Sequence, residues 1–389
     1  MMNTHSHNDM PLAGIKVLDL SAYIAGPYGC TLLADLGADV IKVEAPEGDN
    51  LRRYPSTIPD ESRAFIGVNR GKRGIVLDLK TTDGYESLCA LVRESDVLVH
   101  NFRPSVPPRL KIDYGTLSRI NSRLIYCALT GYGEKGPLAD KAGYDQVLQA
   151  RTGICTAQGT LDSPEIVYGS VVDYYAASML CSSVCAALFQ RERTGRGNDI
   201  SVSLLASALT MQSARLVMTE SEPKTINRDM RSGGITGIHP TREGHLYLSA
   251  NTPHFWEALC ERIGLPELAT DNKYNSVRKR AEHATEIIPI VRGALMTKTA
   301  RQWESHFGTS VPCAAVRPVE EMFEDQQVLS QGFIQSMRHP VIGVYKGFAN
   351  PFQFAASKKH TVPRSAPTLG QHNKEVLGAF TNMGKGDEQ

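Results

Sequence analysis

Asp173 is an acid that could serve covalent chemistry at the start of a helix, since it immediately precedes the long apolar stretch at residues 174–190. That stretch has no glycine or proline and predicts a buried helix, so Asp173 would stand at the helix start. A carboxylate can attack an activated carbonyl and carry an acyl group covalently. Free amides at a helix N-terminus would keep that carboxylate ionised and oriented. An ordinary N-cap aspartate is the plainer interpretation of the same position.

Gly233 and Gly234 are a second chemical candidate, following Ser232. When a nucleophile attacks an acyl group, negative charge builds on the acyl oxygen and needs hydrogen-bond donors aimed at it. Backbone amides of a glycine loop can approach such an oxygen without obstruction from side chains. A simple turn would also explain the two glycines, and the sequence leaves both interpretations open.

The sequence lacks the patterns that mark nucleotide, metal and hydrolase sites. Residues 21–27, which follow the first predicted strand, read Ser-Ala-Tyr-Ile-Ala-Gly-Pro, whereas a dinucleotide site needs GxGxxG there. P-loop, HExxH and GxSxG patterns are missing, and the histidines show no metal-ligand spacing. The eight cysteines form no CxxC pair and lie mostly in apolar runs, which favours reduced, buried thiols. We therefore expect neither a metal nor a permanently bound cofactor.

Net charge and the composition of the N-terminus predict which partners the protein avoids and where in the cell it is found. Lys and Arg together number 42 and Asp and Glu 41, so no overall field draws the chain to nucleic acid or to an anionic membrane. Residues 1–10 are polar and lack the apolar core of a signal peptide, and we expect no apolar run long enough to span a bilayer. These features predict a cytoplasmic protein that binds anions through local clusters of cations.

Alternating strands and helices must position these side chains. Parallel strands need a crossover connection, which a helix supplies, so the pattern predicts an α/β fold with an open, doubly wound, mostly parallel sheet. A further helix is predicted at residues 200–211. The pattern rests on predicted strands at residues 15–20, 38–44, 74–79, 96–100 and 124–129, with helices at residues 30–36 and 83–93 between them.

Changes in composition indicate a boundary within the chain. Residues 219–231 are charged and poor in apolar residues, which is typical of a linker. A second, smaller unit is expected after this linker. Residues 363–369 have the composition of an extended arm.

Eight motifs along the chain resemble those of class III CoA-transferases, the family that includes formyl-CoA transferase, carnitine CoA-transferase and 2-methylacyl-CoA racemase. The resemblance opens with LAGIKVLDL at residues 12–20, AGP at 25–27 and LGADVIKVE at 36–44. The later motifs follow in the family's order: NRGKR at 69–73, NFRP at 101–104, GYD at 143–145, TGRG at 194–197 and APTLGQH at 366–372. The resemblance thus covers nearly the whole chain.

The resemblance implies an enzyme that moves coenzyme A from an acyl-CoA to a small carboxylic acid through covalent intermediates on Asp173. Acyl-CoA is then a substrate rather than a resident cofactor. The family architecture further implies an interlaced homodimer. In each chain, residues 10–215 would form the first part of a large domain and residues 216–330 the linker and a smaller α+β domain, and residues 331–389 would return to the large domain and end in an extended arm. The implied catalytic residues are Asp173, Gly233 and Gly234, and the implied CoA-binding residues are Ala25, Lys72, Arg73, Asn101, Phe102, Arg109, Tyr144 and Asp145.

Two alternatives remain open at this point. A 2-methylacyl-CoA racemase would move an α-proton with a histidine and an aspartate, but Tyr144 stands at the histidine position. Tyrosine is a poor base near neutral pH because its reference pKa is about 10. A non-catalytic acyl-CoA-binding protein would have a similar composition, but acyl-CoA would leave no covalent adduct on Asp173. The motifs do not say which acids are exchanged.

Overall fold

The computed structural model describes residues 10–221, 235–354 and 363–381 of the chain. The described residues up to 219 and from 326 onward form one compact unit, and those between 220 and 325 form another. The chain therefore changes unit after residues 219 and 325, where the sequence suggests residues 215 and 330.

The larger unit is built on a six-stranded parallel sheet with strands β1 (Lys16–Asp19), β2 (Asp39–Glu44), β3 (Arg73–Val76), β4 (Val97–His100), β5 (Ile125–Thr130) and β6 (Asn198–Ser203). The strand order is β3-β2-β1-β4-β5-β6. The order reverses at β1, where Val17 pairs with Val40 of β2 on one side and with Val97 of β4 on the other. The doubly wound parallel sheet predicted from the sequence is confirmed.

Helices cover both faces of this sheet. Neighbouring residues Val17 and Leu18 of β1 point to opposite faces and belong to two different buried apolar clusters, as expected for a parallel sheet buried on both sides. The helices that follow in the chain are α1 (Ala25–Asp35), α2 (Arg63–Val68), α3 (Thr82–Arg93), α4 (Val106–Leu110), α5 (Tyr114–Ile120), α6 (Asp145–Thr152), α7 (Ile154–Gln158), α8 (Val171–Thr194) and α9 (Leu204–Thr210), with short 3₁₀ turns at Asn50–Arg53 and Ser213–Arg215.

Helix α8 begins at Val171, so Asp173 is its third residue rather than its N-cap. Ser170 holds the N-cap position in a left-handed conformation with φ of 57°. By length and composition this helix could cross a membrane, which corrects the expectation that no apolar stretch is long enough. Leu180 and Val184 of α8 are buried in the same cluster as Val17, so packing against the sheet accounts for the apolar composition.

Strand β6 occupies the first part of a segment that the sequence predicts to be helical throughout. Residues 198–203 pair with β5 along their whole length, and the helix starts only at Leu204. The Ser203 hydroxyl caps that helix by accepting a hydrogen bond from the Ala206 N–H at 3.1 Å. The prediction was wrong because the open edge of β5 supplies backbone partners that local periodicity does not reveal.

The smaller unit combines antiparallel strands β7 (Gly237–Pro240), β8 (His245–Leu248) and β9 (Cys313–Ala315) with five described helices. Its core is centred on Trp256 and Trp303, which are both almost fully buried. The helices are α10 (Pro253–Arg262), α11 (Glu267–Thr270), α12 (Val277–Glu282), α13 (Ala284–Leu295) and α14 (Ala300–Phe307), followed by a 3₁₀ turn at Val319–Phe323.

The chain then returns to the larger unit through α15 (Gln326–Ser330), the antiparallel hairpin β10 (Ile334–His339) and β11 (Gly343–Phe348), and α16 (Asn373–Thr381). The segment before α16 is fastened to the edge strand β3. The Gly71 N–H donates to the Arg364 carbonyl oxygen at 2.8 Å, and the Val76 N–H donates to Asn373 Oδ1 at 2.9 Å. These bonds satisfy backbone groups just before β3 and on its free edge.

Candidate active site at the carboxyl ends of the strands

A cavity of about 450 Å³ lies at the carboxyl ends of β1, β4 and β5. Its walls come from the segments that follow these strands and from the start of α8. The strand order reverses between β1 and β4, and open α/β sheets bind ligands at such a point because the connections diverge and leave a crevice. The cavity is therefore the candidate functional site.

Residues expected from the sequence to serve the site meet at this cavity although they are far apart in the chain. They come from the start of α1, from the segment between β4 and α5, from the residue before α6 and from α8. The predicted residues that line the cavity are Ala25, Asn101, Phe102, Arg109, Tyr144 and Asp173.

The Asp173 carboxylate lines the cavity and has no hydrogen-bond or ion-pair partner within the described parts of the chain. Burial and the negative charge of Asp145 raise the pKa of Asp173 to about 7. A carboxylate with a raised pKa and few hydrogen-bond donors is more basic than an exposed one. When it is ionised, it is correspondingly more nucleophilic.

Asp145 uses the helix amides that we expected to stabilise Asp173. Its Oδ2 accepts hydrogen bonds from the backbone N–H groups of Val172 at 2.6 Å and Asp173 at 3.1 Å. Asp145 is buried and does not line the cavity. It caps α8 from the first position of α6, and its charge opposes the ionisation of Asp173. The expectation that the helix N-terminus keeps Asp173 ionised was therefore wrong.

Gln149 supports this arrangement and was missed by the sequence analysis. It is fully buried, and its Nε2 donates to Asp145 Oδ1 and to the Val167 carbonyl oxygen. Its Oε1 accepts from the Val167 N–H at 2.9 Å. The amide thereby fastens the segment before α8 to α6. The i,i+4 spacing of Asp145 and Gln149 on one helix face was the available sequence signal.

Asn101 joins the segments that follow β1 and β4. Its side-chain Oδ1 accepts from the Ala22 N–H at 3.0 Å, and its Nδ2 donates to the Ala22 carbonyl oxygen at 2.7 Å. Through these two bonds the Asn101 side chain pairs with the Ala22 backbone as a neighbouring strand would, at the point where the strand order reverses. Asn101 thus shapes the wall of the cavity near Ala25.

Two tyrosines stand together in the cavity wall, and only Tyr144 was expected there. The rings of Tyr23 and Tyr144 meet edge to face with centroids 5.7 Å apart. Tyr23 has φ of 66°, a left-handed conformation that non-glycine residues rarely adopt, and its N–H donates to Asp49 Oδ1 at 3.1 Å. A hydrogen bond with Tyr23 raises the pKa of Tyr144, so its phenol is protonated at neutral pH.

Three cations, Arg103, Arg109 and Lys141, line the same cavity. Arg109 is held by a hydrogen bond from its Nε to the Ser105 carbonyl oxygen at 3.1 Å. Its Nη groups have no hydrogen-bond partner among the residues that the structure describes. The sequence identified Arg109 only, because Arg103 and Lys141 cannot be told apart from solvated surface cations without the fold.

Lys72 and Arg73 do not face the cavity, contrary to their predicted role. Lys72 is buried, and its Nζ donates to Asp19 Oδ2 at 2.8 Å and to Asn69 Oδ1 at 2.8 Å. Arg73 forms ion pairs with Asp39 at 2.5 Å and with Glu375 at 2.9 Å. Both cations therefore hold the fold together, because their charges are already paired inside it.

Gly233 and Gly234 lie outside the described residues, so their predicted role has no structural counterpart here. Within residues 10–221, 235–354 and 363–381, no group of three or more His, Cys, Asp or Glu side chains could hold a metal ion.

A second cavity of about 260 Å³ adjoins the first at the ends of β1, β2 and β3. The two cavities share Ala22 and Phe102 in their walls. Lys80 lines the second cavity, whereas Lys42, also in its wall, is buried and pairs with Asp49 at 3.1 Å. Together the cavities form a groove across the strand-order reversal.

Known proteins resemble this chain both in sequence and in fold. The sequence model described as "CoA-transferase family III" matches residues 12–373. Succinate–glutarate CoA-transferase of Agrobacterium fabrum is 32% identical over 386 residues, which cover 96% of this chain and 96% of that protein. Acetyl-CoA:oxalate CoA-transferase of Acetobacter aceti is 36% identical over 299 residues, which cover 75% and 77% respectively.

Solved structures share the fold over almost the whole length. A crystal structure of a mutant of Rv3272 from Mycobacterium tuberculosis superposes with a TM-score of 0.83 and 29% sequence identity. The match covers 95% of this chain and 99% of that one.

Proposed function

This chain belongs to CoA-transferase family III, and from that premise we propose that it transfers coenzyme A from an acyl-CoA to a carboxylic acid with Asp173 as the covalent carrier. One observation supports the assignment of Asp173 above all. Its carboxylate lines the central cavity without a hydrogen-bond partner among the described residues, and its pKa is raised to about 7.

The proposed reaction begins when the ionised Asp173 carboxylate attacks the thioester carbonyl carbon and the CoA thiolate leaves. The product is a mixed anhydride between Asp173 and the acyl group. The thiolate then attacks the Asp173 carbonyl carbon, which releases the first acid and forms a thioester between Asp173 and CoA. The acceptor carboxylate repeats these two steps in reverse and leaves as the new acyl-CoA. Each step exchanges one acyl bond for another, so no oxidant or proton donor is needed.

The surroundings of Asp173 favour this chemistry because they do not stabilise its negative charge. Asp145 takes the nearby helix amides, so they do not solvate the Asp173 carboxylate. An ionised carboxylate in such a setting gains more by forming a neutral acyl bond than an exposed one does. The acyl oxygen still needs donors, and we propose the amides of Gly233 and Gly234 for that task.

The adjoining cavities fit the shape of CoA, which carries phosphates at one end of a long pantetheine arm. We propose that Ala25, Asn101 and Phe102 flank the thiol end, because they line the cavity that contains Asp173. Arg109 supplies positive charge in that cavity and suits the phosphates of the nucleotide end. The small Ala22 at the junction leaves room for the arm to pass between the cavities.

Small dicarboxylic acids are the acceptor class that we propose. The relatives named above act on succinate, glutarate or oxalate according to their names. A dicarboxylate presents one carboxylate for reaction and a second that requires a cation. Arg103 and Lys141 are the cations available in the cavity wall besides Arg109. We further propose that the enzyme works as a cytoplasmic homodimer, as the family resemblance implies.

Incubation with acyl-CoA followed by intact mass measurement tests the proposal. Wild-type protein should acquire an adduct on Asp173 that hydroxylamine removes, and Asp173→Asn should acquire none and should lose CoA exchange by at least about a thousandfold. Exposed Asp162→Asn is the matched control and should behave as wild type. Undiminished exchange by Asp173→Asn contradicts the proposal, and α-hydrogen exchange in deuterated water without an acceptor acid would favour a racemase instead.

A further inference from the structure

A third cavity lies in the larger unit, and it shares no wall residue with the two described above. It has a volume of about 220 Å³ and lies where β10, the segment before α16 and the start of β3 meet. Its walls are formed by Lys72, Arg338, Pro340, Arg364, Ser365, Pro367, Gln371 and His372.

Positive charge dominates this cavity. Arg338 and Arg364 are exposed residues, and their guanidinium groups have no hydrogen-bond or ion-pair partner within the described parts of the chain. Acidic side chains in the neighbourhood are engaged elsewhere, since Glu375 pairs with Arg73 at 2.9 Å and Glu61 faces His339 at 3.8 Å. No acidic residue lines the cavity. Two like charges beside one small space are complementary to an anion.

Two uncharged donors add to the arginines. His372 Nδ1 accepts a hydrogen bond from the Gly74 N–H at 3.0 Å, so the neutral ring carries its hydrogen on Nε2. Burial and the neighbouring Arg364 lower the pKa of His372, which keeps the ring neutral at pH 7. Gln371 Oε1 accepts from the Thr368 N–H at 2.9 Å, which leaves the Gln371 NH₂ group as a donor.

The walls are held in place independently of any ligand. The Gly71 N–H donates to the Arg364 carbonyl oxygen at 2.8 Å, and the His372 N–H donates to the Gly74 carbonyl oxygen at 2.9 Å. Lys72 at the base is locked to Asp19. Helix α16 starts at the residue after His372, so the partial positive charge of its N-terminus lies at the same place.

We propose that this cavity binds a small oxyanion of the phosphate class, either free phosphate or the phosphate end of a larger molecule. Arg338 and Arg364 would clamp the anion from two sides while His372 and Gln371 donate hydrogen bonds to it. Bound anion ties the β10–β11 hairpin and the C-terminal segment to the edge of the parallel sheet. The site is independent of the acyl-transfer proposal because it shares no residue with the groove that contains Asp173.

Titration calorimetry of the full chain with inorganic phosphate at constant ionic strength tests the proposal. The double variant R338Q/R364Q should weaken binding by about tenfold or more, because charge-assisted hydrogen bonds are lost. Lys346→Gln on β11, which removes a charge outside the cavity, should bind as wild type. Glycerol 3-phosphate distinguishes free phosphate from the phosphate end of a larger molecule. A site for phosphate ends binds both glycerol 3-phosphate and inorganic phosphate, whereas a site for free phosphate binds inorganic phosphate alone.

Thermal unfolding gives a second measurement of binding that does not depend on the heat released in calorimetry. Phosphate should raise the midpoint of wild type and of Lys346→Gln but not of the double variant. Without phosphate the double variant should unfold no earlier than wild type, because it loses only repulsion between like charges. Equal phosphate binding by wild type and the double variant, or no binding by either, overturns the proposal.

Discussion

Asp173 and Asp145 are two carboxylates that the fold places in opposite roles. Asp145 accepts two backbone hydrogen bonds at the start of α8, so its charge is well satisfied. Asp173 lines the cavity without such partners, and burial together with the charge of Asp145 raises its pKa to about 7. Pairs of titratable groups whose environments differ in this way often divide the chemical roles of an active site.

Because its pKa is raised, Asp173 lowers the free energy of unfolding at neutral pH. The folded state retains its proton up to about pH 7, whereas the unfolded chain loses it near pH 4. Stability from this group is therefore present at acid pH and is lost as the pH rises toward 7. Asp173→Asn, which cannot ionise, should be more stable than wild type by at least about 1 kcal/mol at pH 8, since one unit of pKa shift is worth about 1.4 kcal/mol.

Urea unfolding of wild type and Asp173→Asn at pH 5 and pH 8 measures this effect. The advantage of the variant should grow from pH 5 to pH 8. Asp162→Asn, at an exposed loop position, should show no such trend. A pH-independent difference would mean that Asp173 titrates normally.

Removing the charge of Asp145 should move the activity profile. In Asp145→Asn the amide oxygen can still accept from the Val172 and Asp173 N–H groups, so α8 should keep its start. Without the negative charge the pKa of Asp173 should fall, and the acid limb of kcat/KM against pH should shift to lower pH. The pH–rate profile measures the change, and an unshifted acid limb would show that Asp145 acts on structure alone.

At the scale of elements, α6 positions α8. Asp145 and Gln149 lie one turn apart on α6 and hold both the first amides of α8 and the preceding backbone at Val167. The buried side chains of Asp145 and Gln149 make these hydrogen bonds, so removing one partner leaves others unsatisfied. Asp173 therefore depends on a neighbouring helix for its place in the cavity.

Gln149→Ala should loosen the start of α8. The loss leaves the Val167 N–H and carbonyl groups without their partner and should cost roughly 1–3 kcal/mol. We expect kcat to fall more than KM rises, because the catalytic carboxylate is displaced while the walls of the groove remain. Hydrogen exchange should accelerate at residues 167–173.

Gln158→Ala is the matched control for that variant. Gln158 lies on α7, where its side chain is exposed, and its replacement should change neither kinetics nor exchange. Equal behaviour of the two variants would show that Gln149 has no positioning role.

At the scale of the whole molecule, large apolar side chains remain on the surface of the described chain. Leu161 and Tyr168, shortly before α8, are both 83% exposed, and Phe189 on α8 is 67% exposed. Such residues commonly lie in interfaces between proteins. A homodimer would give them partners, in line with the architecture that the family resemblance implies.

We predict that activity requires the dimer. Dilution should lower the specific activity at the concentration where the measured mass falls to the 42.6 kDa of one chain. Mass photometry and an activity assay over the same dilution series compare the two transitions. Full specific activity in the 42.6 kDa species would show that one chain carries a complete site.

The sequence by itself determined five of the six strands of the parallel sheet and the helices α1, α3 and α8. Apolar strands at residues 96–100 and 124–129 and the helix at residues 83–93 follow from local periodicity, and the structure has them within a few residues. Asp173 was identified through the family resemblance, because an acid before a long apolar stretch equally fits an ordinary N-cap.

Only the tertiary structure decided which charges are available for chemistry. Lys72 and Arg73 look like free cations in the sequence, yet acids distant in the chain pair with them. Asp173 has a raised pKa because burial and the negative charge of Asp145 oppose its ionisation. The edge of β5 likewise turned a predicted helix into β6. Burial and pairing depend on residues brought together by folding, so no local pattern can report them.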